Sequence, residues 1–567
     1  MRAILAGTAM GSAVFALSSV VGDGAAATAV PADQPAFAGQ CAALTLRGAR
    51  LTARRYHAGG ERVALATQPG APPASAALPA HCEVEGTLHE RTGVDGQRYA
   101  IRFRLRLPQQ WNGRFLFQGG GGTNGVVGDA TGNTGGSGPG PLAQGFAVLA
   151  QDSGHDNATN SDPARGGDGA FAYDPQARAD YGGASLRPVT LAARGLVRSL
   201  YGKDPAHSYF VGCSKGGQEG MVLAQREPDL YDGIVAAAPG FSLPRAALAE
   251  AWNVQAFAGA IRAAGQPVTI AALAAAIPPA LGARVRTAVL EACDALDGQA
   301  DGIVGDLARC TSTRVVPRLR AAQCKPGAQG NCLSGAQIDA LLKVHDGVRD
   351  PAGRSIYPGF PWDAGWFDDG WRIWMTGLAT VPALNVVLGG PSRATIFSTP
   401  PQPIGPTPDA MLAYQLAFSP ARDAAAIDAR GSGYARSAWE DIGARSSDLS
   451  RFRARGGRLI VPHGGSDPVF SLNDTIAWWQ EVDRRNGGQA AGFARVFPVP
   501  GMGHCAGGPA TDRYDVLTAL TAWVEQGRAP DALPARAGPG SPWPGRERPL
   551  CRYPLVARGR GGAIRCS

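Results

Sequence analysis

At 567 residues the chain is too long for one small core, so its length points to one large domain with a big insertion or to two or three domains. A hydrophobic fraction of 44% with 18% charged residues is that of a soluble globular protein and excludes disordered and collagen-like classes. The formal charge of +8 rests mostly on arginines scattered among Asp and Glu. No Lys/Arg block with interleaved aromatics appears, so no nucleic-acid partner is expected.

Met1-Arg2 precedes an apolar, small-residue stretch from Ala3 to Val21, followed by small-x-small sites at Ala25-Ala26-Ala27 and Ala27-Thr28-Ala29. Residues 1–29 therefore read as an export signal, with a mature chain starting near Val30 in a secreted or periplasmic setting. Gly, Ser and Thr dilute the stretch, which weakens the competing reading as a membrane anchor, and no membrane anchor is expected in the mature chain. All ten cysteines follow this segment and none forms a Cys-x-x-Cys pair, a usage that suggests disulfides rather than metal ligands. Spacing suggests the local pairs Cys41–Cys82, Cys293–Cys310, Cys324–Cys332 and Cys551–Cys566, leaving Cys213 and Cys505.

Residues 98–107 alternate apolar and charged side chains, as a half-exposed strand does. Arg114 to Gly125 is a short apolar strand running into a glycine-rich loop, and Phe146 to Asp156 repeats the scheme. Ser208 to Ser214 is a third buried strand, followed by a helix over 216–226 and a fourth strand within Asp232 to Gly240. Residues 241–450 are richer in Ala, Pro and Trp, with helical patches and no run of buried strands. The strand pattern returns at Arg458 to Pro468 and at Phe493 to Cys505, each followed by a helical segment. Strands alternating with helices imply an α/β fold with a mostly parallel sheet covered on both faces. Residues 30–240 and 451–567 are then two parts of one α/β core, and 241–450 is an inserted lid placed where it can cover the carboxyl ends of the strands.

The strand at 208–214 ends in Gly212-x-Ser214-x-Gly216, the frame of a nucleophile elbow. A serine hydroxyl needs a base, and the base needs an orienting carboxylate. Asp467 directly follows one predicted strand and His504 another, so the chain order Ser, Asp, His matches that of α/β-hydrolases. Cys213 precedes the serine and Cys505 follows the histidine. If Ser214 and His504 lie within hydrogen-bond reach, their neighbours come close enough for a disulfide. Two separate buried thiols are the alternative.

The arrangement Cys-Ser, Asp, His-Cys resembles the tannase and feruloyl esterase family of α/β-hydrolases. The similarity runs through GGGGTNG, SGHDN, DPQAR, GCSKGGQEGM, YDGIVAAAPG, CDALDGQADGIV, SDPVFS and PGMGHCAGGPATDRYD, covering most of the mature chain. Several segments are especially similar to the family's mono(2-hydroxyethyl) terephthalate hydrolase branch. The resemblance implies Ser214, Asp467 and His504 as a triad and a Cys213–Cys505 bridge.

Two backbone N–H groups are needed for the developing oxyanion. Lys215, after the nucleophile, is expected to supply one, and Gly122 of the loop Gly119 to Gly122 the other, with a plain tight turn as the competing reading of that loop. Asp294, Asp297 and Asp301 offer the hard oxygens calcium prefers. The resemblance implies a structural Ca²⁺ there, with the backbone carbonyls of Gln299 and Ile303 as further ligands. A solvated acidic turn is the alternative. No organic cofactor is implied.

Of the insertion's Trp366, Trp371 and Trp374, the resemblance favours Trp374 as pocket against simple core packing, and Leu243 and Phe470 are similar choices. Arg393 and Arg372 could meet a substrate carboxylate, with solvent exposure the competing reading of Arg393. His155 and His463 read as structural. The expected activity is a secreted serine carboxylesterase acting on small esters of aromatic acids, of feruloyl, galloyl or terephthalate-monoester type. An esterase for other esters, or a non-catalytic binding protein on the same fold, is the alternative.

Overall fold

The computed structural model describes residues 34–65, 75–133, 139–325, 330–560 and 563–567, so the export signal expected over residues 1–29 lies outside the described residues. Nine strands form one large sheet: β1 (Ala49–His57), β2 (His81–Thr92), β3 (Arg98–Pro108), β4 (Arg114–Gln118), β5 (Ala147–Gln151), β6 (His207–Cys213), β7 (Gly233–Ala237), β8 (Arg458–Gly464) and β9 (Ala494–Val499). Their spatial order is β1-β2-β3-β5-β4-β6-β7-β8-β9. The first three strands and the β3–β5 junction are antiparallel, and every pairing from β5 to β9 is parallel.

The two halves of the sheet follow from their side chains. In β3 the buried Ile101, Phe103 and Leu105 alternate with Arg102, Arg104 and Arg106. Each arginine finds a carboxylate, Asp152 at 2.6 Å, Glu85 at 2.6 Å and Glu83 at 2.8 Å, so the charged face is paired as well as wetted. The parallel strands are apolar on both faces because both are covered. Phe115, Phe117 and Phe210 join one core with Trp478, while Leu116, Tyr209 and Val235 join the opposite one with Phe497.

Helices α1 (Leu186–Tyr201), α2 (Lys215–Arg226), α3 (Leu243–Ala263), α4 (Leu472–Arg485) and α5 (Val516–Gln526) follow in the chain. Strands β7 and β8 pair directly, Gly233 with Arg458, although more than two hundred residues separate them. The chain between them is largely helical and has its own core, where Phe257, Val285 and Leu341 surround Trp362, Trp366 and Trp371. Trp366 and Trp371 are thus core residues of the insertion. The one helical stretch among the described residues that is long and apolar enough to cross a membrane, Ile270–Asp297, is interrupted at Pro278-Pro279 and packs Leu281, Val285 and Val289 into this core.

Five disulfides close the chain at Cys41–Cys82, Cys213–Cys505, Cys293–Cys310, Cys324–Cys332 and Cys551–Cys566. The Cys213–Cys505 bond joins positions 292 residues apart, with a Cα separation of 6.1 Å.

Candidate active site

Ser214 stands between β6 and α2 with φ 66° and ψ −122°. A non-glycine residue held there costs about 1–3 kcal/mol and persists only where its surroundings impose it. The surroundings explain the flanking glycines. A Cβ on Gly212 would lie 2.5 Å from the Gly216 oxygen, and one on Gly216 would lie 2.6 Å from the Gly120 oxygen. The elbow is therefore packed backbone on backbone against the glycine-rich loop after β4.

His504, in the loop after β9, places Nε2 2.8 Å from Ser214 Oγ and Nδ1 2.8 Å from Asp467 Oδ2. Asp467 lies in the loop after β8, where its Oδ1 accepts the N–H groups of Val469 at 2.8 Å and Phe470 at 3.1 Å. Burial alone would raise the carboxyl's pKa, but the imidazoles of His504 and His463 outweigh it and hold the group well below the usual carboxylate range. An ionised Asp467 fixes the tautomer: Nδ1–H donates to it, and Nε2 is left to accept the Ser214 hydroxyl proton.

The N–H groups of Gly121 and Gly122 donate no hydrogen bond among the described residues, and Gly122 has φ 57°. Lys215 is the first residue of α2, where a backbone N–H has no intrahelical acceptor. Its side chain does not extend into an open pocket. It is buried, pairs with Glu219 at 2.9 Å and lies 4.5 Å from the Tyr181 ring centre, and burial lowers the pKa of the ammonium while Glu219 opposes that shift.

Trp374 and Phe470 both present edge-to-face contacts to the His504 ring, with centroids at 5.5 Å and 5.4 Å. Leu243, the first residue of α3, packs in the same apolar cluster. A Cβ on Gly240 would meet Phe470 at 2.8 Å and Leu243 at 3.3 Å, so these side chains are in contact around that glycine. Three of the four expected pocket residues thus share one apolar cluster beside the imidazole.

Arg393 does not belong with them. It is 3% exposed, so it does not face solvent either. Its Nη1 pairs with Asp423 at 2.9 Å, its Nε donates to Gln415 at 3.0 Å and its Nη2 to the Tyr414 oxygen at 2.9 Å, with the guanidinium over the Tyr414 ring. The helix Gly389–Thr395 turns this arginine inward, and a carboxylate of the chain itself already occupies it. Arg372 pairs with Asp369 at 3.3 Å.

His155 is buried, stacks on Phe171 with centroids 3.7 Å apart, and has its pKa lowered by burial to about 3. His463 is fully buried, with Nε2 3.0 Å from the Phe470 oxygen and 3.4 Å from Asp467, and Nδ1 2.8 Å from the Thr475 hydroxyl. It braces the loop that carries the acid. Asp363, in the insertion, was not visible as a site residue. Its carboxylate accepts the Ser466 hydroxyl at 2.9 Å and the Gly501 N–H at 2.6 Å, so one side chain of the insertion joins the loops of Asp467 and His504. Burial raises its pKa to about 6.

The loop with Asp294, Asp297, Gln299, Asp301 and Ile303 is stapled by Cys293–Cys310 and turns through left-handed Gly298 and Gly302. Asp294 accepts the N–H groups of Asp301 and Gly302, Asp297 accepts that of Gln299, and Arg548 bridges the carboxylates of Asp297 and Asp301. The loop offers only oxygen ligands, the type calcium takes, while Arg548 holds two of its three carboxylates and the three do not converge on one point in this structure. Leu307, just beyond, reaches Gly465, where an added Cβ would stand 2.9 Å from it. The acidic loop therefore backs the loop of Asp467.

A mostly parallel sheet whose strand ends bring a strained serine, a histidine and an aspartate into one hydrogen-bonded line defines an α/β-hydrolase. Residues 82–567 match the family described as "Tannase and feruloyl esterase", and the chain belongs to the tannase and feruloyl esterase family. It is 43% identical over 516 residues to mono(2-hydroxyethyl) terephthalate hydrolase of Piscinibacter sakaiensis, covering 86% of this chain and 83% of that protein. It is 29% identical over 496 residues to a probable feruloyl esterase of Arthroderma benhamiae, covering 85% and 83%. The crystal structure of feruloyl esterase B from Aspergillus oryzae matches the fold with a TM-score of 0.73 at 22% identity, over 94% of this chain and 100% of that one. The chain is a carboxylic ester hydrolase.

Proposed function

We propose that this enzyme is an exported serine esterase that hydrolyses esters of aromatic acids through an acyl-enzyme. The observation that carries the reading is His504 at 2.8 Å from both Ser214 Oγ and Asp467 Oδ2. Ser214 Oγ attacks the ester carbonyl and its proton passes to His504 Nε2. Asp467 holds the imidazole in place and stabilises the imidazolium. The oxyanion is received by the N–H groups of Gly122 and Lys215. Collapse of the tetrahedral species breaks the bond to the alcohol, which leaves with the proton from His504. Water, deprotonated by the same nitrogen, then releases the acid and restores Ser214.

Trp374, Phe470 and Leu243 form the apolar wall against which the acyl ring packs. Feruloyl, galloyl and terephthalate-monoester acyl groups fit this class, in keeping with the relatives' names. Asp294, Asp297 and Asp301, with the carbonyls of Gln299 and Ile303, would hold a structural Ca²⁺, which supplies charge neutralisation and loop rigidity when bound. Five disulfides and the leader-like first 29 residues support an oxidising, extracytoplasmic setting.

The test is hydrolysis of methyl gallate, methyl ferulate and mono(2-hydroxyethyl) terephthalate by the purified disulfide-bonded protein beside Ser214→Ala. Turnover of at least one ester, abolished in the variant, is expected. Turnover that survives Ser214→Ala, or hydrolysis of aliphatic esters alone, would overturn the reading.

A further inference from the structure

One buried carboxylate joins both sides of the oxyanion hole. Glu219 lies on α2, five residues after Ser214, and is 0% exposed. Its Oε2 accepts the N–H of Gly120 at 3.0 Å. Its Oε1 accepts the Lys215 ammonium at 2.9 Å, the Asn124 side-chain amide at 3.1 Å and the Ser153 hydroxyl at 3.1 Å. These donors come from three elements: the loop after β4, the loop after β5, and the first turn of α2 itself.

The contacts explain why a charge is kept in the interior. Replacing a buried ion pair by packed apolar groups is often neutral or stabilising, so the Lys215–Glu219 pair is weak evidence for a stability role. A carboxylate offers about four acceptor sites, and four donors converge on this one. A glutamine would turn an amide donor toward some of them. The loop after β4 is also built around this bond. A Cβ on Gly120 would stand 2.3 Å from Asn124 Nδ2, and Asn124 itself takes φ 52°. On the other side of the hole, Tyr181 lies beneath the Lys215 ammonium and donates its hydroxyl to the Gly122 oxygen at 3.2 Å.

We infer that Glu219 is a positioning residue for ester hydrolysis: by holding Gly120 and Asn124 against the first turn of α2, it sets the spacing between the N–H groups of Gly122 and Lys215. The inference rests on the reading of those two groups as the oxyanion hole. Glu219 touches no reacting atom. Its effect is on how well the tetrahedral oxyanion is received, and a 1 Å error in such geometry costs on the order of 100-fold in rate.

The experiment compares Lys215→Met/Glu219→Leu, which removes both charges together, and the near-isosteric Glu219→Gln with the unmodified enzyme. The readouts are kcat, KM, the melting midpoint and the inhibition constant of phenylboronic acid, whose tetrahedral adduct with Ser214 Oγ places a boronate oxygen in the hole. In the double variant kcat is expected to fall about 100-fold with KM within about threefold, and the phenylboronic acid constant to rise in step with the loss of kcat. Glu219→Gln, which covers the case in which the double variant does not fold, is expected to lose about 10-fold in both. A folded variant with unchanged kcat, or one whose kcat falls while phenylboronic acid binds as before, would overturn the inference. Failure of the underlying reading is distinguishable, because the unmodified enzyme would then resist phenylboronic acid or its activity would survive Ser214→Ala.

Discussion

Cys213 and Cys505 each stand one residue from a partner in the Ser214–His504 hydrogen bond, and a disulfide joins them. The covalent link therefore runs parallel to the hydrogen bond and ties the elbow to the loop of the histidine. Closing a loop of this size lowers the entropy of the unfolded chain, worth about 2–5 kcal/mol for native disulfides. The position of the bond suggests that it also keeps His504 in register with Ser214. In Cys213→Ala/Cys505→Ala we expect a lower melting midpoint and a fall in kcat of about 10- to 100-fold at a temperature where the variant remains folded. Full kcat in a folded variant would reduce the bond to a stability device.

Asp467 provides the pH prediction. Its folded-state pKa is depressed below the ordinary value, so its contribution to stability is present above the unfolded carboxylate range and is lost only as pH falls through the lower folded value. Across the working range it stays ionised. Protonation of Asp467 should therefore add nothing to the acid limb of kcat/KM, which should have unit slope. A slope of two would mean that Asp467 gains a proton within that range. Asp467→Asn keeps the shape but not the tautomer preference, and should lower kcat by about 10⁴-fold.

The aromatic wall can be separated from the chemistry. Trp374 and Phe470 touch the His504 ring edge-to-face, so truncating either alters the surroundings of the imidazole as well as the proposed acyl wall. For Trp374→Ala, a rise in KM of about 10-fold for aromatic esters is expected, since losing a ring contact of about 1.5 kcal/mol corresponds to that factor. An acetate ester, which does not reach the wall, should show a smaller change. Equal losses for both esters would place Trp374 in support of His504 rather than in the acyl pocket.

The strand-end residues were legible because each buried apolar run stops at a turn, and the chemistry of α/β-hydrolases sits at those stops. Ser214, Asp467 and His504 all follow such runs, and the structure brings them together. Arg393 was not legible. Its inward direction depends on Asp423 and Gln415, whose approach is decided by how the short helices of the insertion pack. The insertion's three tryptophans divide for the same reason, Trp366 and Trp371 to the insertion's core and Trp374 to the cluster beside His504. Asp363 gave no local signal, because the two loops it joins, through Ser466 and Gly501, lie more than a hundred residues away. Lys215 and Glu219, by contrast, stand at the i, i+4 spacing that pairs charges on a helix, and that signal was available.

The acidic loop makes the last prediction. Asp294, Asp297 and Asp301 are concentrated on one turn, and Arg548 bridges two of their carboxylates. A bound Ca²⁺ would complete the neutralisation, and ligand present at 100 times its dissociation constant stabilises the folded state by about 2.7 kcal/mol. For a chain of this size, unfolding as one unit, that corresponds to a melting shift of roughly 2–3 °C. Exhaustive EGTA treatment should lower the midpoint by that amount, added Ca²⁺ should restore it, and Mg²⁺ should restore less, because it demands tighter octahedral geometry. Asp297→Ala should abolish the response. Because Leu307 links this loop to Gly465, two residues before Asp467, loss of the cation should also lower kcat on warming before global unfolding begins. A midpoint indifferent to both EGTA and Ca²⁺ would mean that the Arg548 bridge neutralises the loop by itself and that no cation is held there.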